Sequence, residues 1–323
     1  MTRHPLIRAV IATGLLAVGV SSQAQDWPTR KNITLVVPFA PGGSTDSTAR
    51  LVAEKLGKEL GQQVIVDNRA GAGSNIGSAY VAKSAPDGYT VLFATSTIAS
   101  NVTLYKSTGF DLRKDLTPVS QVALIPNVLM VNNNMPAKSL QDFVDYVQKK
   151  KGPVNYGSAG SGSASHLSGA LFDSLTKGDM QHVAYKGGSL ANTDLIGGQI
   201  QAVFAPLVEV LPFIESGKLR ALGVTTKARS QRLPQVPAIG EALSGYEVAL
   251  WNGVFVPAAT PAPVVARLAA AIHKVTQDPA VRKTLGDQGS TPVGNSPAEF
   301  KKVLDQEIDK WGKLVKLSGA TVD

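Results

Sequence analysis

Apolar residues fall in short runs separated by stretches of helical period along most of the chain. Ile33–Phe39 (ITLVVPF) is a nearly unbroken apolar run of strand length. After it, Ala49, Val52, Ala53, Leu56 and Leu60 recur at the three- and four-residue spacing of one helix face. QVIVDN predicts a second strand, GAGSNIGSAYVAKSAPDG a Gly-rich turn into a helix, and TVLFATS a third strand that ends in small hydroxyl residues. The same grammar restarts near Ile125. LMVNNN is a strand, SLQDFVDYVQKK a helix with Ser139 as N-cap, and VNYGSAG a strand running into a Gly/Ser turn. HLSGALFDSL is helical, AYKGG a loop, ANTDLIGGQI a short helix, and AVFAP and LRALGVTT are strands. GYEVALWNGVFVPAAT is extended, and PAPVVARLAAAIHKVTQ and PAEFKKVLDQEIDKWGKLV close the chain as helices.

This alternation predicts an α/β fold with a mainly parallel sheet and helices on both faces. Two such halves, with the last helices unclaimed, imply a discontinuous arrangement. Residues 25–122 and 247–323 form one domain, and residues 123–246 form the other. The two extended crossings act as a hinge, and a ligand is expected in the cleft between the halves, at the carboxyl ends of strands.

The first residues stand apart from this pattern. Arg3 and Arg8 precede an apolar stretch, Ala9 to Val20, and Ser22 and Ala24 are small residues at the −3 and −1 positions of a cleavage site. Residues 1–24 are therefore expected to be a cleaved export signal, too short for a membrane span of about 20 apolar residues. Its removal takes two arginines and lowers the formal net charge from +8 to +6. The absence of cysteine excludes disulfides and thiolate metal sites, and fits a bacterial periplasm. The basic residues are scattered among acids without interleaved aromatics, which excludes a nucleic-acid face.

The loops carry the candidate chemistry. Pro41-Gly42-Gly43-Ser44-Thr45-Asp46 joins a strand to a helix. Its glycines let a ligand approach the backbone, and the open N–H groups of the first helical turn attract an anion. Gly43 is expected to need a conformation that only glycine adopts comfortably. No lysine stands at the helix start, so a nucleotide triphosphate fits poorly and a carboxylate fits better. As a plain structural feature, the same stretch is a tight turn capped by Ser44 or Asp46. Thr95, Ser96 and Thr97 add uncharged donors at the end of the third strand. Asn155–Gly169 (NYGSAGSGSASHLSG) repeats the first loop's design in the second half, so two uncharged cradles face one cleft. Asp194 either faces that cleft, toward a ligand ammonium or hydroxyl, or is an exposed helix acid.

Ser163 and His166 lie three apart and can meet on one helical turn. A hydrolase would also need an orienting carboxylate and an oxyanion hole, and no GxSxG elbow occurs. The four histidines show no metal-ligand spacing, and no GxGxxG is present, so no cofactor is expected.

VPFAPGGSTDSTAR, VDNRAGAGSNIGSAYVAKSAPDGYTVL, NYGSAGSGSASHL, HVAYKGG, LRALGVTTKARSQRLPQVPAIGEALSGYEV and WNGVFVPAATP resemble, in order, the tripartite tricarboxylate transporter receptor family, also called Bug or TctC-type binding proteins. The departures are small. Ala184 stands where a proline usually precedes the YKG tyrosine, and a PDVPT-like stretch reads PQVPA at Pro234 to Ala238. The resemblance implies a type II periplasmic binding fold and a monomeric receptor that delivers an organic acid to membrane permease subunits. It also implies that backbone N–H groups and ordered water hold a ligand carboxylate. Phe39, Ala40, Gly42 and Gly43 would serve from the first loop, and Ser158, Ala159, Gly160, Ser163 and His166 from the second. Thr95, Ser96 and Thr97 would line the wall, and Asp194 would contact the variable part of the ligand. Dicarboxylates, aromatic acids and amino acids all remain open as ligands. A hydrolase using Ser163 and His166, or a sensor for a signalling partner, are the alternatives.

Overall fold

A computed structural model describes residues 27–149 and 152–322; the expected export signal lies outside the described residues. The first half begins with β1 (Ile33–Val37), which runs into α1 (Ser44–Leu60). The apolar face of α1, including Val52, Leu56 and Leu60, packs on β1, β2 (Val64–Asn68) and α9 (Ala262–Gln277). Burying each such side chain contributes about 1.5–3 kcal/mol. Gly61, in the left-handed region at φ 66°, ends the helix and donates its N–H to the Gly57 carbonyl. The short α2 (Asn75–Ala82) leads to β3 (Thr90–Thr95), which continues into α3 (Thr97–Leu104), and α4 (Leu112–Asp115) precedes the first crossing. β2 and β3 flank β1, both parallel to it.

The second half follows the same plan. α5 (Leu140–Lys149) leads to β5 (Val154–Ser158), and α6 (Ala164–Thr176) connects it to β6 (Met180–Ala184). Then come α7 (Gly188–Ile196), β7 (Ala202–Pro206), α8 (Leu207–Glu215) and β8 (Leu219–Val224). β6 and β7 flank β5, again in parallel. β6 was not expected, the sequence pattern placing only a loop from Ala184 onward. It is an edge strand with half-exposed residues, so it lacks the apolar alternation that marks a strand.

The crossings depart furthest from expectation. β4 (Leu116–Asn132) is a single 17-residue strand, of which only the last part was legible. It pairs antiparallel with β9 (Ala249–Pro257) from Leu116↔Pro257 to Pro126↔Ala249. Pro118 and Pro126 break the strand pattern on paper. In the fold the register shifts next to Pro118, and Pro126 lies at the end of the ladder, so the missing N–H groups are tolerated. β4 also pairs antiparallel with β7 and β8, and β3 with β9. The sheet is therefore mixed, not mainly parallel: parallel on each flank and antiparallel where the chain leaves and returns. The boundary expected between residues 122 and 123 falls inside β4.

α10 (Pro279–Asp287) and the two-residue β10 (Thr291–Pro292), which pairs with β4, precede α11 (Pro297–Ser318). α11 opens on a capping box between Ser296 and Glu299 and packs against both α3 and α6, one from each half. One apolar core accordingly runs through both halves, from Leu92 and Trp251 to Phe143, Phe172 and Trp311. Separate cores fill the far faces of the first and second halves.

Candidate functional site

A cavity of about 350 Å³ opens between the halves and is walled by both of them and by both crossings. Its walls include the first residues of four helices: Ser44 and Thr45 of α1, Thr97 of α3, Ala164 and Ser165 of α6, and Gly188 of α7. Each of these helices starts just beyond the carboxyl end of a strand, so their positive ends converge. α1, α3 and α7 have no side-chain cap. Among the described residues, the N–H groups of Gly43, Ser44 and Thr45 have no partner, and neither do those of Ala164 and Ser165. Such groups attract an anion, each helix end contributing about 0.3–1 kcal/mol and up to ~2 in partly buried geometry. No lysine or arginine lines the cavity among the described residues.

Of the residues expected at the site, Phe39, Gly43, Thr95, Thr97, Ser158, Ala159 and Ser163 line this cavity. Ala40 and Gly42 are exposed and do not line the cavity. The Gly42 N–H, expected to be open to a ligand, is already donated to Asp46 Oδ2 at 2.9 Å. Gly42 is also the residue in the left-handed region, at φ 87°, whereas Gly43 has an ordinary φ of −79°. The turn thus demands glycine one position earlier than expected. Gly160, at φ 130°, donates its N–H to Ser158 Oγ and stays off the cavity wall. Ser96 is buried, with a hydroxyl that has no partner.

Asp46 holds the first loop in place. Besides Gly42, its carboxylate accepts Arg50 Nε at 2.9 Å and Asn68 Nδ2 at 2.9 Å. The Arg50 bond, with help from Gly42 and Asn68, holds its pKa down at about 2, against 3.8 for a free aspartate. Because the folded-state pKa is the lower, the stabilisation is complete above about pH 4 and is lost as pH falls through about 2. Asp46→Asn should therefore cost on the order of 1–2 kcal/mol at pH 7, discounted for the exposed Arg50 partner. Urea unfolding of both proteins at pH 7 and pH 2.5 should show that difference shrinking in acid; equal stability at pH 7 would contradict it.

His166 does not face the cleft. Its ring is buried and stacks on His182, with centroids 3.6 Å apart and planes 7° from parallel, and its Nδ1 accepts the Gly162 N–H at 3.0 Å. Burial, and then the neighbouring His182, push its pKa down to about 4. Ser163 acts as the N-cap of α6: its Oγ accepts the His166 backbone N–H and donates to the Gly160 carbonyl. No bond joins the Ser163 hydroxyl to the His166 ring. The Ser–His contact that forms is between Ser158 Oγ and His182 Nε2, at 2.6 Å, and it ties β5 to β6 beneath the loop. Asp194 lies toward the end of α7 and off the cavity wall, where it accepts the Tyr185 hydroxyl at 2.7 Å. Among the described residues, no group of three or more His, Asp or Glu side chains is placed to hold a metal ion, and no helix is long and apolar enough to cross a membrane.

A family model described as the tripartite tricarboxylate transporter family receptor matches residues 48–320. The chain belongs to that family. Protein BugT of Bordetella pertussis is 36% identical over 318 residues, covering 98% of this chain and 97% of BugT. Among solved structures, a Rhodopseudomonas palustris protein with adipate is 36% identical with a TM-score of 0.81, covering 92% of this chain and 99% of that one. MatC of the same organism, with bound malate, is 33% identical with a TM-score of 0.75 over 89% and 99% of the two chains. The architecture is thus that of the periplasmic binding proteins of this family.

Two residues that sequence reasoning missed complete this receptor's cavity. Asn252, on β9, is fully buried, and neither its Oδ1 nor its Nδ2 has a partner. Nothing in an extended apolar run marks it in advance; only the pairing of β9 with β4 brings it to the cleft. Glu209 lies in the first turn of α8 and also lines the cavity. Its helix was hidden by Pro212, an unfavourable residue for a helix interior. The available signal was the strand-to-helix junction at AVFAP, which has the form of the other cleft loops.

Proposed function

We propose that this chain is a periplasmic receptor that captures a small organic carboxylate in the cleft and delivers it to a membrane permease. The observation that carries the reading is the convergence of uncapped helix starts from both halves on a cavity without a cationic side chain. Backbone N–H groups at Gly43–Thr45 and Ala164–Ser165 would hold the carboxylate, and the Thr97 hydroxyl, oriented by the Thr95 hydroxyl that donates to it, would supply a neutral hydrogen bond beside it, while Ser158, its hydroxyl engaged by Gly160 and His182, lines the wall. Phe39, Ala159 and Ser163 shape the walls. The adipate and malate seen in two structural relatives are small carboxylates, which supports the same class here. Delivery to a permease rests on the family's description, and export rests on the N-terminal signal pattern.

The test is thermal unfolding of the mature protein against a panel of small carboxylates, each paired with its amide or methyl ester. A ligand at about 100 times its Kd stabilises the folded state by ~2.7 kcal/mol. At roughly 2–4 °C per kcal/mol, the melting temperature should rise by roughly 5–10 °C for the best acid. The neutral derivative, a weaker acceptor for helix-end N–H groups, should give little or no shift. An amide that stabilises as well as its acid would overturn the reading.

A further inference from the structure

Two carboxylates line the cavity, Asp46 and Glu209, and their situations differ. Asp46 is neutralised by Arg50 and has both oxygens engaged by Arg50, Gly42 and Asn68. Glu209 has no hydrogen-bond or ion-pair partner among the described residues. Glu209 is an exposed residue on the cleft wall. It nevertheless stands between walls that exclude enough water to push its pKa up. It also sits close over the start of α7: a side chain added at Gly188 would bring its Cβ to 3.3 Å from Glu209 Oε2. The second half therefore presents an unpaired acceptor in the same cavity where uncapped N–H groups await an anion.

We propose that Glu209 is the specificity-determining residue of this cleft and selects ligands that carry an ammonium group as well as a carboxylate. This rests on the carboxylate-receptor reading above and narrows it to amino-acid-type zwitterions. A carboxylate at the α1 and α6 starts leaves the rest of the ligand to meet the remaining walls. An ammonium there gains a direct partner in Glu209, whereas a second carboxylate brings two like charges into a space with no lysine or arginine to separate them. Asn252, with its free amide oxygen, offers a further acceptor for such a cation. Asp194, the acid that sequence alone offers for this role, is engaged by Tyr185 instead.

The experiment is calorimetric titration of the full mature chain with length-matched pairs: β-alanine against succinate, 4-aminobutyrate against glutarate, and 5-aminopentanoate against adipate. L-Glutamate against glutarate adds an ammonium without removing a carboxylate. In the wild-type protein, the amino member of at least one pair should bind about tenfold or more tightly, the scale of one charge pair at intermediate dielectric. In Glu209→Gln, which keeps the shape and removes the charge, the two members of that pair should bind within about threefold of each other. The variant should melt close to the wild type without ligand, because Glu209 makes no hydrogen bond or ion pair among the described residues and loses only its charge near the start of α7. Tighter binding of the dicarboxylates, or a ratio unchanged in Glu209→Gln, would overturn this inference and leave the carboxylate reading standing. Binding of neither class would overturn this inference, while the carboxylate reading stands or falls separately on the acid and amide panel above.

Discussion

Trp251→Ala should lower the melting temperature of the free protein by roughly 6–20 °C, the equivalent of about 3–5 kcal/mol. Trp251 is fully buried on β9, its ring 5.5 Å from Phe300 in an edge-to-face contact at 85° and 6.3 Å from Phe255. Its indole N–H donates to Glu307 Oε2 at 3.0 Å, and Trp311 donates to the same oxygen at 2.7 Å. One carboxylate on α11 thus fastens that helix to the returning crossing. Alanine removes the ring, opens a cavity in the core shared by both halves, and takes one of two indole donors from Glu307. Trp251→Phe keeps most of the ring packing and should cost only about 1 kcal/mol for the lost bond. Differential scanning calorimetry of the three proteins separates these terms. If alanine cost no more than phenylalanine, the ring packing would not be what anchors α11. Trp251 also walls the cavity, so the alanine variant should show a weaker ligand-induced shift as well.

Gly43→Val should abolish the ligand-induced shift of roughly 5–10 °C while leaving the fold intact. Gly43 has φ −79° and ψ 172°, a conformation open to any residue, and the nearest atom to an added Cβ is the Ala40 carbonyl oxygen at 4.0 Å. The structural cost is limited to the poorer N-cap preference of valine, about 1 kcal/mol. On the cleft side, an isopropyl group would stand beside the open N–H groups of Gly43, Ser44 and Thr45 and keep a carboxylate away from them. Gly42→Val should behave in the opposite way. Its φ of 87° makes any side chain strained by about 1–2 kcal/mol, but an added Cβ meets nothing within 4 Å and Gly42 does not wall the cavity. That variant should melt lower without ligand and keep its shift with ligand. Thermal scans of both variants, with and without the best acid, decide the matter. A full shift in Gly43→Val would show that the α1 start does not hold the ligand.

What the sequence determined by itself is local. The three- and four-residue spacing of Val52, Leu56 and Leu60 specifies a helix because one apolar face must be buried. The run at Ile33–Val37 specifies a strand because its residues are buried on both sides of the sheet. The glycine- and hydroxyl-rich junctions before Ser44 and Ala164 were legible for the same reason: helix starts are written in the few residues that form them. Tertiary structure decided what depends on residues far apart in the chain. Prolines 118 and 126 concealed a strand that forms because β9 returns to pair with it. β6 forms because β5 offers it an edge. His166 has the spacing of a cleft residue, but stacking on His182 and the Gly162 N–H turn its ring inward. Asp194 and Glu209 are both helix acids in the second half, and although the junction at AVFAP places Glu209 near a helix start, no local pattern says which of the two is left without a partner. Tyr185 engages the first, while the start of α8 carries the second into the cavity unpaired. A side chain's charge is written in the sequence, but whether that charge meets a partner or an open cleft is settled only when distant segments pack together.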